Sequence, residues 1–421
     1  MRFGLIFAES AVKPYGAAVT VNHGPAGPRG AERSVVELLG RHEALTRSQL
    51  ARLAQLPLST VAGATARLLA RGLLQEAPGP AAKEARGRGR PAAGLRLARH
   101  ASLVGAVVIT HRVARAGLVS TEGKVLGRVE TPYDWMQCPD IVAESVRLLA
   151  RARDDARSTA PMSGVVLGLP VPYRQGAGLS MLAPAPDPVP ADRPPMSAWL
   201  FRDVAPDLTR AFGVPASVDN VCNLAALGEL AFGAARGRRH VIHLHLVTGM
   251  GAGLIVNGQL VRGANGLAGE LSHLHVDSAG PMCRCGARGC LGVVATTDHL
   301  LEAARPLFGP DVSIYDVLGL AAQGEATVRR VLDDFGRLVG SHLAPACVML
   351  NPEMIVVDGT LGPAAAPVIE GLHDGLRRHM PAGAYRALTL TLGRLADDAE
   401  LLGAAHLART TNAAARGLML P

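Results

Sequence analysis

Residues 269–292 read GELSHLHVDSAGPMCRCGARGCLG and constrain this chain more than any other stretch. Three of the six cysteines, Cys283, Cys285 and Cys290, fall within eight positions, and His273 lies ten residues before the first of them. Three thiolates and one imidazole can close a tetrahedron around a zinc ion. Gly286 and Gly289 let the backbone turn tightly around such an ion. With all four ligand places filled by protein, the ion is structural and takes no part in a reaction. Spacing alone leaves His275 as a competing ligand. The plainer alternative is three buried or free cysteines, but CxCxxxxC with an upstream histidine favours the metal.

The same residues carry a resemblance. ExxH followed by CxCGxxGC, here Glu270, His273, Cys283, Cys285, Gly286, Gly289 and Cys290, resembles the signature of the ROK family of sugar kinases and sugar-responsive repressors. The likeness runs from about residue 30 to the C-terminus. It implies an α/β fold with two lobes of the actin and sugar-kinase type (ribonuclease H-like) and a ligand in the cleft between them. It also implies that Glu270 and His273 face a bound sugar, and that His273 holds the zinc as well.

Charge divides the chain. Residues 1–100 hold fifteen Lys and Arg against six Asp and Glu, an excess of nine, while the remainder sits at minus one. An excess confined to one quarter points to a polyanion partner for that quarter alone. No apolar run reaches the length of a membrane span. The opening MRFGLIFAES lacks a full signal-peptide core, and clustered thiols suit a reducing cytoplasm.

Residues 1–30 show no clear period and read as a tail or an over-long start. From Ala31 the pattern turns helical, with Val35, Leu38, Leu39 and His42 on one face. Thr46 and Gln49 have capping-box spacing for a second helix, with Leu50, Leu53 and Ala54 inward. Pro57 suits the first turn of a third helix, which buries Val61, Ala64 and Leu68. Ser59, Thr60, Gly63 and Arg67 then point outward, and Arg47 opens the second helix. Leu73–Glu76 and Gly94–Ala98 read as the strands of a wing whose tip carries Lys83, Arg86, Arg88 and Arg90. This order reads as a winged helix-turn-helix over residues 31–100 that places a helix in the major groove of double-stranded DNA. Arg47, Ser59, Thr60, Gly63 and Arg67 are its candidate contacts, with Arg86, Arg88 and Arg90 along a phosphate backbone or in a narrow minor groove. The segment is similar to the front of ROK repressors, and ROK kinases lack it. A protein-interaction module with a solvated basic loop is the alternative.

From Ser102 strands alternate with helices, an α/β rhythm. Helices are expected at Asp140–Ala156, Leu200–Phe212, Asn223–Phe232 and Val331–Leu350, with a Pro-rich loop over 183–195. The resemblance implies a first lobe over 101–220, to which a final helix (400–421) returns, and a second lobe over 221–399 with the zinc site.

A sugar kinase must cradle phosphates with converging N–H groups and deprotonate a hydroxyl. Where ROK kinases carry DxGGT, this chain has Val108-Ile109-Thr110-His111-Arg112; TGMGAG at 248–253 matches the second phosphate loop. Where they carry NDAN, whose Asp is the base, the run is Asn220-Val221-Cys222-Asn223. A valine cannot take a proton, and Asp219 sits two positions early. The glutamate that follows the cysteine motif in the family is Gly292 here. Asn220, Glu270 and His273 therefore survive as ligand-binding candidates while the catalytic groups do not. The sequence reads as a dimeric cytoplasmic repressor that binds an operator, holds structural zinc and responds to a sugar or related effector. An active sugar kinase and a zinc-stabilised scaffold are its rivals.

Overall fold

The computed structural model describes residues 31–415 apart from 33, 36–37, 40–41, 43, 71–73, 78–93, 98–102, 121, 180–197, 247–248, 284 and 296. The expected tail, wing tip and Pro-rich loop lie outside the described residues. The chain divides into two compact units, one ending at Ala98 and the other beginning at Arg99.

In the N-terminal unit, helix α1 (Arg47–Ala54) opens on a reciprocal cap. Thr46 Oγ1 accepts from the Gln49 N–H at 3.2 Å, and Gln49 Oε1 accepts from the Thr46 N–H at 2.8 Å. Both are donors that a helix start leaves unmatched. Gln55, in the left-handed region, ends the helix. Helix α2 (Leu58–Ala70) follows, and Pro57 precedes it instead of lying in its first turn; the Pro57 carbonyl accepts from Val61 N. Leu50, Val61, Ala64 and Leu68 bury fully, as do Ala31 and Val35 from the helical residues between 31 and 39. Leu53, expected inward, is 44% exposed; a two-turn helix offers one narrow buried face, and Leu50 takes it. Strands β2 (Leu74–Ala77) and β3 (Gly94–Leu97) pair antiparallel, and β1 (Leu45–Thr46) joins the free side of β3.

The second unit contains one strand topology twice. Its first sheet holds β4 (Leu103–Ile109), β5 (Val113–Ser120), β6 (Val125–Pro132), β7 (Met162–Leu169) and, after the hairpin β8 (Tyr173–Arg174) and β9 (Gly178–Leu179), β10 (Ala216–Asn220). The order is β10-β7-β4-β5-β6: an antiparallel meander on one side of β4, two parallel strands on the other. The second sheet holds β11 (Val241–His245), β12 (Gly251–Val256), β13 (Gln259–Val261), β14 (Met354–Val357) and β15 (Thr389–Leu392). Its order, β13-β12-β11-β14-β15, repeats the pattern around β11. Asn257 and Gly258, both at positive φ, make the two-residue turn from β12 to β13.

Both sheets are covered on both faces, as parallel strands rich in Val, Ile and Leu require. In β4, Val107 and Ile109 pack on helix α3 (Ile141–Asp155), while Val104, Ala106 and Val108 face the opposite way into a core shared with the second sheet. Helices α4 (Val221–Ala231) and α7 (Ala399–Ala415) fill that shared core. On the outer face of the second sheet, Ile242, Leu244, Ile355 and Val357 meet a helical layer that includes α5 (Ala326–Leu350) and α6 (Ala365–His379).

Several helix starts differ from the sequence expectation for local reasons. Helix α4 begins two residues early because the Asn220 side chain caps it. Helix α5 begins at Ala326 because Glu325 accepts from Val328 N. The helix expected over Leu200–Phe212 is split. Asp203 accepts from Ala205 N and from the Tyr173 hydroxyl, separating a 3-10 turn (Ala198–Phe201) from a helix (Ala205–Phe212). No helix among the described residues is long and apolar enough to cross a membrane.

Helices α4 and α7 touch backbone to backbone. A Cβ on Gly403 would lie 1.7 Å from the Leu224 carbonyl oxygen, and one on Gly228 would lie 2.1 Å from that of Ala399. Gly403→Ala should therefore destabilise the fold by about 3 kcal/mol or more despite alanine's better helix propensity. Urea unfolding measures this, and an unchanged midpoint would mean that the helices can separate freely.

Candidate functional site

The cysteine segment is pinned to the second sheet at its start. Ala252 N donates to the Gly269 carbonyl at 2.8 Å, and Gly269, at φ +91°, has no room for a side chain there. A 3-10 turn (Leu271–His273) follows. The chain then folds back so that His275 bridges Cys290 and Met282 bridges Arg288. Cys283 N donates to the Ala287 carbonyl and Gly286 N to that of Cys283, holding the first two thiols on one tight turn.

This brings His273, Cys283, Cys285 and Cys290 together with ligand atoms all within 4.8 Å of one another. Cys283 Sγ lies 3.5 Å from His273 Nδ1, and Cys285 Sγ lies 3.5 Å from Cys290 Sγ. Bonds of about 2.0–2.3 Å from one tetrahedral ion give ligand separations of about 3.5–3.8 Å, so the donor set fits a metal. Burial, with Cys285 and Cys283 alongside, pushes the Cys290 thiol up to about 12, a proton that a bound cation would displace. His275, left open by spacing, points its Nε2 at Ser278 Oγ, 3.1 Å away, and is outside the cluster.

The turn that carries His273 begins at Glu270, whose Oε1 accepts from Asn220 Nδ2 at 3.4 Å. Asn220 Oδ1 simultaneously caps α4 at Cys222 N, 2.7 Å away. Burial pushes the Glu270 carboxyl up to about 7. Val221, next along, is buried in the core between the sheets. Asp219 is fully engaged elsewhere: Arg262 Nε and Nη2 donate to its Oδ2 at 2.9 and 2.5 Å, and Asn223 Nδ2 donates to Oδ1 at 2.8 Å. At Gly292 a Cβ would approach Ser272 Cβ to 2.7 Å, so a larger residue would press on the turn holding His273.

Of the stretch at 108–112, Val108 and Ile109 end β4, and Thr110, His111 and Arg112 form the hairpin turn into β5. Thr110 N donates to the Val113 carbonyl at 2.9 Å, and Thr110 Oγ1 accepts from Arg112 N and Val113 N at 3.3 and 3.1 Å. Gly249 and Met250 lead into β12, which begins at Gly251; Thr248 lies outside the described residues.

In the N-terminal unit Ser59 and Arg67 are exposed, and Thr60 and Gly63 are half-buried. Arg67 Nε donates to the buried Glu32 at 2.5 Å. Arg47 Nε donates to Thr65 Oγ1 at 3.2 Å, tying α1 to α2. Arg86, Arg88 and Arg90 lie outside the described residues.

Sequence reasoning missed a buried charged set beside the shared core. His245, at the end of β11, places Nδ1 3.0 Å from Asp358 Oδ2. Burial alone would raise the Asp358 carboxyl, but His245 holds it below the usual carboxylate range. Arg115 of β5 meets Glu130, Asp397 and Glu400 at 2.6, 3.1 and 3.8 Å. The available signal was the alternation in VIHLH, which puts His243 and His245 on the face opposite Ile242 and Leu244.

The profile of the ROK family matches residues 111–411. The xylose repressor of Bacillus spizizenii is 31% identical over 48% of this chain and 53% of its own length. The glucokinase of Thermotoga maritima is 27% identical over 69% of this chain and 92% of its own length. The chain thus spans about half the length of that repressor and nearly all of that kinase. A crystal structure of a ROK family transcriptional regulator, a homologue of the Escherichia coli MLC protein, shares the fold with a TM-score of 0.73. The two are 23% identical over 93% of this chain and 97% of that one.

Glu270 gives the site a pH signature. Its folded pKa of about 7 lies above the ordinary 4.5. The stability it contributes is complete below about 4.5 and is lost as pH rises through about 7, on the order of 3 kcal/mol in all. Glu270→Gln should flatten the pH dependence of urea stability across this window; parallel curves for both proteins would mean that Glu270 ionises as it does in water.

Proposed function

We propose that this chain, which belongs to the ROK family, is a DNA-binding transcriptional repressor whose kinase-like unit has lost phosphoryl transfer. The observation that carries the reading is the N-terminal unit. Two helices joined across Gln55–Pro57 lead into an antiparallel hairpin, in a segment that holds the chain's whole positive excess. That combination suits a recognition helix, Leu58–Ala70, laid in a major groove with a basic wing beside it. Likeness to a repressor supports it. Likeness to a glucokinase supports the kinase reading instead, but buried Val221 can accept no proton, and Asp219 is held by Arg262 and Asn223.

The proposed ligand of the cleft is a sugar or a related polyol meeting Asn220, Glu270 and His273. The proposed ion of the His–Cys cluster is zinc, with a structural role. His273 would link the two, since its Nδ1 belongs to the cluster and its turn begins at Glu270. Two copies of the chain in the cytoplasm would present two heads to half-sites about 34 Å apart. A ligand acts by preferring one of two arrangements of those heads.

Capture of genomic fragments by the purified chain, with and without a panel of aldoses, tests the reading. Shared inverted repeats support it, with affinity that falls steeply as salt rises; absence of enrichment sinks it. Gly63 sharpens the test. Glycine in a helix interior costs about 1 kcal/mol relative to alanine, yet a Cβ there would meet nothing nearer than Arg67 Nη1 at 3.5 Å. Gly63→Ala should stabilise the unit by about 0.5–1 kcal/mol and weaken operator binding about tenfold or more; unaltered affinity would remove Gly63 from the interface.

Cys285→Ser should lower the zinc content from one ion per chain and reduce the melting temperature. A variant that retains both would argue against the metal's structural role.

A further inference from the structure

Phosphoryl groups are held by backbone N–H groups that converge on open space. The hairpin turn between β4 and β5 offers no such space. Its N–H groups at Arg112 and Val113 both donate to Thr110 Oγ1, and the N–H of Thr110 donates to the Val113 carbonyl. The buried Thr110 hydroxyl thus stands where a phosphate oxygen would accept the same bonds.

The residue at the tip adds a second obstruction. The ring of His111 reaches across to the turn before β12, which comes from the other sheet. A Cβ on Gly249 would lie 2.8 Å from His111 Cδ2 and 3.2 Å from Nε2. Carbon–carbon contacts sit at about 3.5–4.0 Å, so not even a methyl group fits between the ring and that turn. Trp135, buried in the first sheet's outer core, meets the His111 ring edge-on at 6.1 Å between centroids and 65° between planes. His111 is exposed.

We propose that His111 is a specificity-determining residue that occupies the gap between the Thr110–Val113 turn and the Gly249 turn and closes the cleft to phosphoryl groups. The inference rests on reading the cleft as a ligand site. It makes the accepted ligand a polyol without a phosphoryl group at that end, and it excludes nucleoside polyphosphates and any sugar phosphate that would place its phosphoryl group there. A substitution of His111 should then return some affinity for phosphates, and removing the Thr110 hydroxyl as well should return more, because the N–H groups become available.

The test is isothermal calorimetry on the full chain with three probes: magnesium-ADP, glucose 6-phosphate and unphosphorylated glucose. His111→Ala and the double substitution Thr110→Gly with His111→Ala are compared with the unaltered chain, and melting curves verify that each variant is folded. His111→Ser serves if the alanine variant is not. The proposal expects at least a tenfold gain in magnesium-ADP affinity in the single variant and a larger one in the double. It is overturned if the unaltered chain binds magnesium-ADP as tightly as the variants do, if His111→Ala weakens that binding, or if neither variant gains any. Operator release by an unphosphorylated sugar belongs to the repressor reading, and its failure would leave the nucleotide comparison standing as a separate result.

Discussion

Helix α4 has backbone close to it on three sides, and much of the second unit depends on that packing. Gly403 of α7 lies against the Leu224 carbonyl, and Gly253 of β12 lies against the Cys222 carbonyl and Ala226. Gly168 of β7 leaves room for the Leu224 side chain. The helix is therefore wedged between two sheets of identical topology, and any side chain at those glycines would push the sheets apart. Interiors this dense transmit displacement instead of absorbing it. The residue that starts α4, Asn220, shares a hydrogen bond with Glu270, and Glu270 starts the turn that delivers His273 to the cysteine cluster. One chain of contacts thus runs from the shared core through Asn220 and Glu270 to the candidate metal centre.

The same constraint explains the residues on either side of Asn220. Val221 faces a core of aliphatic side chains from both sheets, where an ionised carboxylate would lie far from water. Asp219 sits at the end of β10, where its two oxygens satisfy Arg262, Asn223 and the Asn220 N–H. It works as a structural anion that holds β10, α4 and the segment after β13 together.

Much of this was legible in the sequence. The His–Cys cluster depends on four residues close in the chain, so its gathering is set largely by the segment's own turns. The capping box at Thr46 and Gln49 and the buried face of α2 follow from spacing alone, because both are set within two helical turns. Helix starts were less legible. Asn220, Glu325 and Asp203 each moved a boundary through one side-chain bond, and hydrophobic periodicity carries no trace of such bonds. Leu53 went astray because a short helix can bury only one strip of its surface.

What the sequence determined by itself was chemistry confined to neighbours: a His–Cys segment whose donors could hold a metal, a basic N-terminal quarter, and an aliphatic residue in place of a base. What only the tertiary structure decided was which distant groups meet. Nothing in the spacing tells that His111 reaches Gly249, more than a hundred positions away, or that Arg115 and Glu400 share a buried set of charges. Nor does it tell that His273, and not His275, joins the cysteines, since both lie within reach along the chain. The physical reason is the same in each case. Local geometry limits what a side chain can do, but partners across a fold are chosen by how two sheets and the helices between them pack, and that choice is made by the whole chain at once.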